Sequence, residues 1–209
     1  MKISHTEIET CRRNLRAWIA QKIKPGGGGP RTGYDGVIKL AIYRFHKSLD
    51  AVDARRHLEK AFKSYRLTST SRMTLSTATL NSYIGWYYRA SPIIVGYKLL
   101  LDYDLGFGWR LGGLISRADL DPSTGGYSCV ILGKAPLDWR HQVRMPLIQR
   151  ALADKLKRPE TDISVGFQNL DGTAMELVSF PLKRLDEAEE TGRKFVRDVV
   201  REWRRQGGR

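Results

Sequence analysis

A change in the spacing of apolar residues at Pro92 divides the chain into two parts of different structural type. Before this proline, apolar residues recur every three to four positions, which is the spacing of an amphipathic helix. Such segments occur at about 8–23, 37–49, 51–66 and 75–88. We therefore predict that residues 1–91 form an entirely helical N-terminal lobe.

The residues after Pro92 follow a strand-rich pattern. Residues 93–101 form a continuous apolar run that begins with β-branched side chains, which favours a strand. The turn sequence at 121–126, Asp-Pro-Ser-Thr-Gly-Gly, separates two further strands. The predicted order is three strands, a helix, two strands and a helix, at 93–101, 110–120, 127–132, 143–156, 163–167, 175–178 and 185–205. This order predicts an α/β layered core over residues 92–209.

Two local signals stand near the N-terminus. Ser4 and Glu7 have the spacing of a capping box, in which each side chain bonds the backbone N–H of the other residue at a helix start. The segment 25–36 is rich in glycine and proline and predicts a loop, with a hinge at Gly26–Gly29. These glycines could also cradle a phosphate, but the Gly-Lys-Ser/Thr ending of a P-loop is missing, so we favour the hinge.

Positive charge is the strongest compositional feature of the chain. Lysine and arginine number 36 against 22 aspartates and glutamates, which gives a formal net charge of +14. Charge this far from zero indicates a polyanionic partner. Residues 60–101 contain no acidic side chain, and arginines recur at helical spacing in the final helix, as expected of a phosphate-binding surface. The predicted nucleic-acid-binding residues are Arg12, Arg13, Arg16, Lys60, Lys63, Arg66, Arg72, Arg89, Arg193, Arg197, Arg201 and Arg204.

The aromatic residues of the acid-free segment allow two interpretations. Tyr83, Trp86, Tyr87 and Tyr88 could stack on bases, or they could pack in the core. We favour the core, since aromatic stripes usually pack. Basic amphipathic helices also bind membrane surfaces, but here the charge is spread over the whole chain, which favours nucleic acid.

The composition excludes several classes of protein. No apolar run approaches the ~20 residues that a bilayer crossing requires. The first ten residues, MKISHTEIET, lack the apolar segment of a secretory signal. Cys11 and Cys129 are the two cysteines and cannot form a disulfide scaffold. We expect a cytoplasmic protein with no membrane partner.

The segment 111–142 carries the pattern with the most functional information. Its motif positions are Gly113, Ile115, Arg117, Asp119, the strand residues Val130 and Ile131, Lys134 and the helix-start residue Gln142. Together with Ser4 and the Cys11-Arg12-Arg13 cluster, they resemble the RecB-like PD-(D/E)xK exonucleases, a family that includes the exonucleases of CRISPR adaptation. The resemblance spans most of the chain in order and spacing. It implies a restriction-endonuclease-like mixed sheet flanked by helices, with catalytic positions at Asp119, Lys134 and Gln142.

The pattern departs from the family at the metal-binding positions. Ser116 stands where the first metal-binding aspartate is expected, and Leu132 stands where the second carboxylate is expected. A hydroxyl is a poor ligand for Mg²⁺ and a leucine is none. Asp119 lies three residues beyond Ser116, so strand alternation predicts that it points to the opposite face. The catalytic positions are therefore interpreted as vestigial.

Other sources of a metal site are limited. Asp102 and Asp104 share a face of the preceding strand and are the best substitute carboxylates. An alternative alignment that omits two residues after Leu132 removes Lys134 from the catalytic position. The iron–sulfur cluster of some family members needs four cysteines, which this chain lacks. We expect neither a resident metal nor a cofactor.

Three functions are consistent with these patterns. We favour a nucleic-acid-binding, catalytically inactive nuclease-like subunit of a DNA-processing or defence complex, with other protein subunits as partners. The second is an active metal-dependent nuclease that uses Asp102 or Asp104, Asp119 and Lys134 with Mg²⁺ or Mn²⁺. The third is a basic structural partner of an acidic protein. The patterns do not distinguish DNA from RNA.

Overall fold

A six-stranded mixed sheet forms the centre of the protein. The computed structural model describes residues 1–23 and 32–206, so the predicted hinge at Gly26–Gly29 lies outside the described residues. The strands are β1 Lys2–Ser4, β2 Ile93–Gly106, β3 Trp109–Leu120, β4 Tyr127–Leu132, β5 Ile163–Gln168 and β6 Met175–Val178. The helices are α1 Glu7–Arg13, α2 Leu15–Ile23, α3 Tyr34–Ser48, α4 Ala51–Ser64, α5 Thr70–Ala90, α6 Arg144–Leu156 and α7 Leu182–Arg205. A mixed α/β sheet flanked by helices is confirmed, and every strand and helix predicted after Pro92 is present.

Strand β3 organises the sheet because it pairs with three other strands. Along one edge it pairs antiparallel with β2 over its whole length. The other edge is shared, since β1 runs parallel to Arg110–Gly112 and β4 runs antiparallel to Arg117–Leu120. Residues 113–116 therefore border a gap between β1 and β4. Beyond β4 the sheet continues with parallel β5 and antiparallel β6.

Strand β1 corrects the prediction of an entirely helical first 91 residues. Ile3 pairs with Leu111 of β3, and a strand of three residues is too short to show a period of two in the sequence. Helices α1 and α2 pack with β1 and α7, burying Ile8, Trp18 and Phe195 together. The remaining helices of this region, α3, α4 and α5, pack on one another, and from here on the helical lobe means these three helices. The division of the chain at residue 91 remains a prediction.

The two faces of the sheet are covered by different helices. On one face, α6 packs against Ile115, Ala118 and Phe167. On the other face, the helical lobe packs against Leu114 and Leu132. We call the second the lobe face. The candidate catalytic position Leu132 is thus covered by the lobe.

The N-terminal helix start follows its sequence signal. The Ser4 backbone N–H donates to Glu7 Oε2 at 3.1 Å, and the Glu7 N–H donates to Ser4 Oγ at 3.2 Å. The two hydrogen bonds of the predicted capping box are present, but α1 begins at Glu7 with Thr6 at its N-cap position, later than the Ser4 cap predicts. Helix α3 begins at Tyr34, so the predicted loop over 25–36 ends earlier than expected. None of the helices in the described ranges is both long and apolar enough to span a membrane.

Candidate functional site

Ser116 lies at the gap between β1 and β4, and its hydroxyl oxygen is fully engaged. Ser116 Oγ accepts hydrogen bonds from the Tyr43 hydroxyl at 3.1 Å and from the Leu132 backbone N–H at 3.0 Å. The side chain is 4% exposed. Burial also raises the pKa of Tyr43, although its bond to Ser116 opposes the shift, so the phenol keeps its proton. Ser116 is therefore a buried acceptor that joins the lobe to β4.

The second carboxylate position is apolar and closed. Leu132 is 1% exposed and packs in the core of the helical lobe. It lies beside Gln168 in the parallel register of β4 and β5, and Gln168 is also completely buried. Neither side-chain polar atom of Gln168 has a hydrogen-bond partner among the described residues. No sequence pattern indicated Gln168, because its burial depends on the pairing of β4 with β5.

Asp119 is held as the counter-ion of a buried arginine. The Arg117 Nε lies 2.6 and 2.9 Å from the two carboxylate oxygens of Asp119, and the Arg117 side chain is completely buried. The guanidinium also donates to the Tyr83 hydroxyl and lies 4.6 Å from the centroid of Trp86. Burial raises the pKa of Asp119, and the charge and hydrogen bond of Arg117 oppose that shift. The carboxylate is thus neutralised within the fold.

The prediction that Ser116 and Asp119 point to opposite faces is wrong. Ser116 hydrogen-bonds α3, and Arg117, which holds Asp119, hydrogen-bonds α5. Ser116, Arg117 and Asp119 therefore all face the lobe, whereas Ala118 packs on the α6 side. Alternation therefore breaks between Ser116 and Arg117. At this point of the ladder Lys98 of β2 adopts a φ of +53°, and Lys98 and Ser116 stay unpaired between the Tyr97–Arg117 and Leu99–Ile115 pairs. A left-handed lysine in an edge strand has no signature in the sequence pattern.

His5 fills the gap in the edge of β3. Its backbone N–H donates to Gly112 O at 2.8 Å, and its ring lies where a side chain on Gly113 would stand. Gly113 has a φ of +140°, so both the conformation and the space require glycine. Burial, reinforced by the charge of Arg144, lowers the pKa of His5 to about 4, so the imidazole is neutral. The sequence reasoning missed His5 and read Gly113 only as a motif residue.

Lys134 and Gln142 lie outside this buried group. Lys134 is exposed, just beyond the end of β4. Gln142 donates to Asp138 Oδ1 at 2.8 Å and accepts from Arg144 Nε at 2.6 Å, while the Arg144 N–H reaches Glu9 of α1. Gln142 therefore belongs to a polar cluster that ties the start of α6 to α1.

The substitute carboxylates do not converge on Lys134. Asp102 forms ion pairs with Lys2 at 3.3 Å and Arg110 at 2.7 Å, and these partners lower its pKa. Asp104 accepts the Gly106 N–H at 2.8 Å in the turn between β2 and β3. Across residues 1–23 and 32–206, there is no group of three or more His, Cys, Asp or Glu side chains that could hold a metal ion. The residues at the nuclease-like positions therefore do not fit the divalent metal that the family resemblance implies.

The cations of the predicted nucleic-acid surface fall into two sets. Five of them form ion pairs with nearby carboxylates: Arg12 with Glu9, Arg13 with Asp138, Arg16 with Glu202, Arg193 with Glu189 and Arg201 with Asp198. Within the described part of the chain, no ion pair is formed by Lys60, Lys63, Arg66, Arg72, Arg89, Arg197 or Arg204. The helical lobe therefore carries more uncompensated charge than the final helix.

One row of cations on α4 is well placed to contact a phosphate backbone. Arg56, Lys60 and Lys63 are exposed and recur at helical spacing along one side of the helix, with one exposed carboxylate, Glu59, among them. The sequence reasoning did not include Arg56, because that residue precedes the acid-free segment. We call these three residues the α4 row.

The aromatic residues of the acid-free segment mainly build the core of the lobe. Tyr83 is completely buried, and Trp86 and Tyr87 pack against the same apolar cluster, as favoured from the sequence. Tyr88 differs, since it is 57% exposed. Its hydroxyl donates to Leu49 O at 3.3 Å. Base stacking by Tyr83 is excluded by its burial.

The comparisons with known proteins find similarity to solved structures but no sequence family. No protein-family model matches the chain, and no curated protein matches it significantly. Among solved structures, the chain is similar to the crystal structure of "Putative exonuclease" from Eubacterium rectale, with 8% sequence identity and a TM-score of 0.49. The alignment covers 88% of this chain and 70% of the other. The functional proposal therefore rests on the residues of this chain.

Proposed function

We propose that the chain is a nucleic-acid-binding, nuclease-like protein without catalytic activity. It acts in the cytoplasm as a subunit of a DNA-processing or defence complex. The observation that carries the proposal is the closure of both expected carboxylate positions. Ser116 is saturated by Tyr43 and the backbone of Leu132, and Leu132 itself is buried beneath the lobe.

Electrostatics around these positions opposes a divalent cation. Mg²⁺ exchanges hydration waters for protein oxygens only where carboxylate charge compensates it. The nearby carboxylate, Asp119, is already neutralised by Arg117. Lys39 of α3 adds further positive charge, because its Nζ lies 3.5 Å from where a Cβ on Gly133 would stand. Without a bound metal, no metal-activated water forms, so hydrolysis of a phosphodiester is not supported.

Nucleic-acid binding rests on the uncompensated cations of the lobe. Each lysine or arginine that neutralises a phosphate releases a condensed counterion, which favours binding at low salt. The α4 row and Arg89 offer exposed cations without ion pairs in the described residues. DNA is the proposed substrate class of the complex.

The test of the inactive site is a cleavage assay on the purified full-length chain. End-labelled single- and double-stranded DNA and RNA are incubated with Mn²⁺, and a chelated reaction serves as the control. We expect binding without cleavage. Cleavage that disappears in both Lys134→Ala and Asp119→Ala would overturn the proposal and support an active nuclease.

The same preparation distinguishes the third function considered. A basic structural partner of an acidic protein would bind oligonucleotides no more tightly than an acidic polypeptide such as poly-glutamate, at any salt concentration. We expect tighter binding of the oligonucleotide, with a linear dependence of log affinity on log salt. Equal affinities for the two polyanions would favour the structural role.

A further inference from the structure

The lobe and β2 together expose a patch of apolar side chains that the fold covers only in part. Three of its residues, Leu49, Val95 and Tyr97, line a cavity of about 450 Å³ between the end of α3, the end of α5 and the start of β2. Leu49, Tyr88, Ile93, Val95 and Tyr97 are exposed by 54%, 57%, 47%, 46% and 38%. We call these five residues the β2 patch. A contiguous exposed apolar surface of this kind usually marks an interaction site.

Leu49 is the residue that points most directly to a role in binding. It is the C-cap of α3 and has a φ of +54°, a conformation that favours glycine or asparagine. A leucine here is conformationally unfavourable, and its side chain is more than half exposed, so little burial offsets that cost. The side chain lines the cavity. Its presence is explained if a partner covers it.

Strand β2 is an edge strand whose outer side is unpaired within the described sheet. Edge strands with exposed apolar side chains are sites at which another chain adds. A bulge at Val95 interrupts the pairing with β3 and turns this side chain toward the cavity. The partner segment is therefore expected to be extended and to place one apolar side chain in the cavity.

The charges around the β2 patch indicate the chemistry of the partner. Lys47, Arg89 and Lys98 are exposed beside it, and β2 contains no carboxylate before Asp102. Asp50, the nearby acid, is engaged in capping α4, where it accepts two backbone N–H groups. Carboxylates on the partner would complement this surface.

The same observations disfavour the other occupants. Two copies of a chain with a net charge of +14 would bring like charges together at this surface. Three of the five patch residues, Leu49, Ile93 and Val95, are aliphatic and cannot stack on bases as the rings of Tyr88 and Tyr97 could, so most of the patch offers nucleic acid little. We infer that the β2 patch binds an extended apolar segment, flanked by aspartate or glutamate, from a different protein subunit. This inference deepens the proposed membership of a complex and rests on it.

The test starts from selection on the purified full-length chain. A display library of random peptides is selected against the immobilised protein, and enriched peptides are synthesised and titrated by fluorescence anisotropy. We expect enriched sequences to combine an apolar centre with acidic flanks. Absence of enrichment, or enrichment of basic peptides, would overturn the inference.

Point variants locate the binding site. Leu49→Asn and Val95→Asn should each lower the affinity for the selected peptide at least tenfold. Leu137→Asn, at another exposed leucine, should leave that affinity unchanged. Leu49→Asn keeps the fold, because asparagine tolerates the left-handed conformation, so its denaturation midpoint should be equal to or above that of the parent chain. Equal affinity of the peptide for all three variants would overturn the inference.

Two further measurements separate this inference from the function proposed above. Sedimentation that shows a dimer disrupted by Val95→Asn would assign the patch to a second copy. If an oligonucleotide displaces the peptide, and Leu49→Asn weakens oligonucleotide binding by the same factor as peptide binding, the patch would be assigned to nucleic acid. If the peptide binds as expected while oligonucleotides do not bind at all, the nucleic-acid proposal fails and the partner surface stands.

Discussion

At the scale of single residues, the predicted metal-binding and catalytic positions Ser116, Leu132 and Asp119 are buried in the packed interior. Ser116 and Asp119 each make hydrogen bonds that hold the lobe or a buried arginine in place. A buried polar group of this kind contributes to stability mainly because its removal leaves a buried partner without a hydrogen bond, which costs free energy. Mutation of these positions is therefore expected to lower the stability of the fold.

Replacement of Ser116 should reveal this structural role. Ser116→Ala leaves the buried Leu132 N–H and the Tyr43 hydroxyl without their acceptor, so we expect a loss of about 1–3 kcal/mol in the free energy of unfolding. Tyr43→Phe removes one donor and leaves the backbone bond intact, so its cost should be smaller, about 0.5–1.5 kcal/mol. Urea denaturation of both variants measures the difference. A larger loss in Tyr43→Phe would contradict the assignment.

The buried histidines should make stability fall in mild acid. Burial, reinforced by Arg144 for His5 and by Arg117 for His46, lowers the pKa of each imidazole from 6.5 to about 4. Between these values the unfolded chain binds more protons than the folded chain, so stability decreases as pH falls from about 6.5 toward about 4. Each unit of pKa difference corresponds to roughly 1.4 kcal/mol.

Denaturation midpoints between about pH 7 and about pH 4.5 test this dependence. We expect His5→Asn to flatten the curve. If stability falls with pH as steeply in His5→Asn as in the parent chain, His5 does not titrate as expected.

At the scale of elements, local signals and long-range contacts differ in how well the sequence reports them. The capping box at Ser4 and the turn at 121–126 depend on neighbours in the sequence, and both occur as predicted or nearly so. His5 and Gln168 acquire their surroundings from β3 and β4, which pair with distant segments. Their burial could not be predicted because hydrophobic periodicity carries no information on which strands become neighbours.

Removal of the N-terminal cap should destabilise the protein by about 1 kcal/mol. Ser4→Ala loses the acceptor for the Glu7 N–H at the start of α1. Ser4→Thr keeps a hydroxyl in the same place and should cost much less. Thermal denaturation followed by circular dichroism compares the two, and equal midpoints would indicate that the cap contributes little.

At the scale of the whole molecule, the distribution of charge determines where a polyanion binds. The arginines of α7 are partly neutralised by carboxylates on their own helix, whereas the α4 row is not paired within the described residues. Exposed ion pairs are weak, but their carboxylates still repel phosphate. The lobe is therefore the stronger candidate for nucleic-acid contact.

Two triple variants that remove the same charge compare these surfaces. Arg56→Ala with Lys60→Ala and Lys63→Ala should lower the slope of log affinity against log salt by roughly 3. Arg193→Ala with Arg197→Ala and Arg201→Ala should lower it by about 1, since two of these arginines are already paired. Fluorescence anisotropy with one labelled oligonucleotide measures both, and the reverse order would assign the contact to α7.

The packing of the first helices against the last one also has a consequence for the order in which the chain folds. Ile8 and Trp18 share a cluster with Phe195 and Val199 of α7. During synthesis the parts of α1 and α2 that pack against α7 therefore stay exposed until nearly the entire chain has been made. The lobe, built from consecutive helices, can form meanwhile. Closure of the N-terminal segment is thus a late step, and nascent chains that stall before α7 are the species most in need of a chaperone.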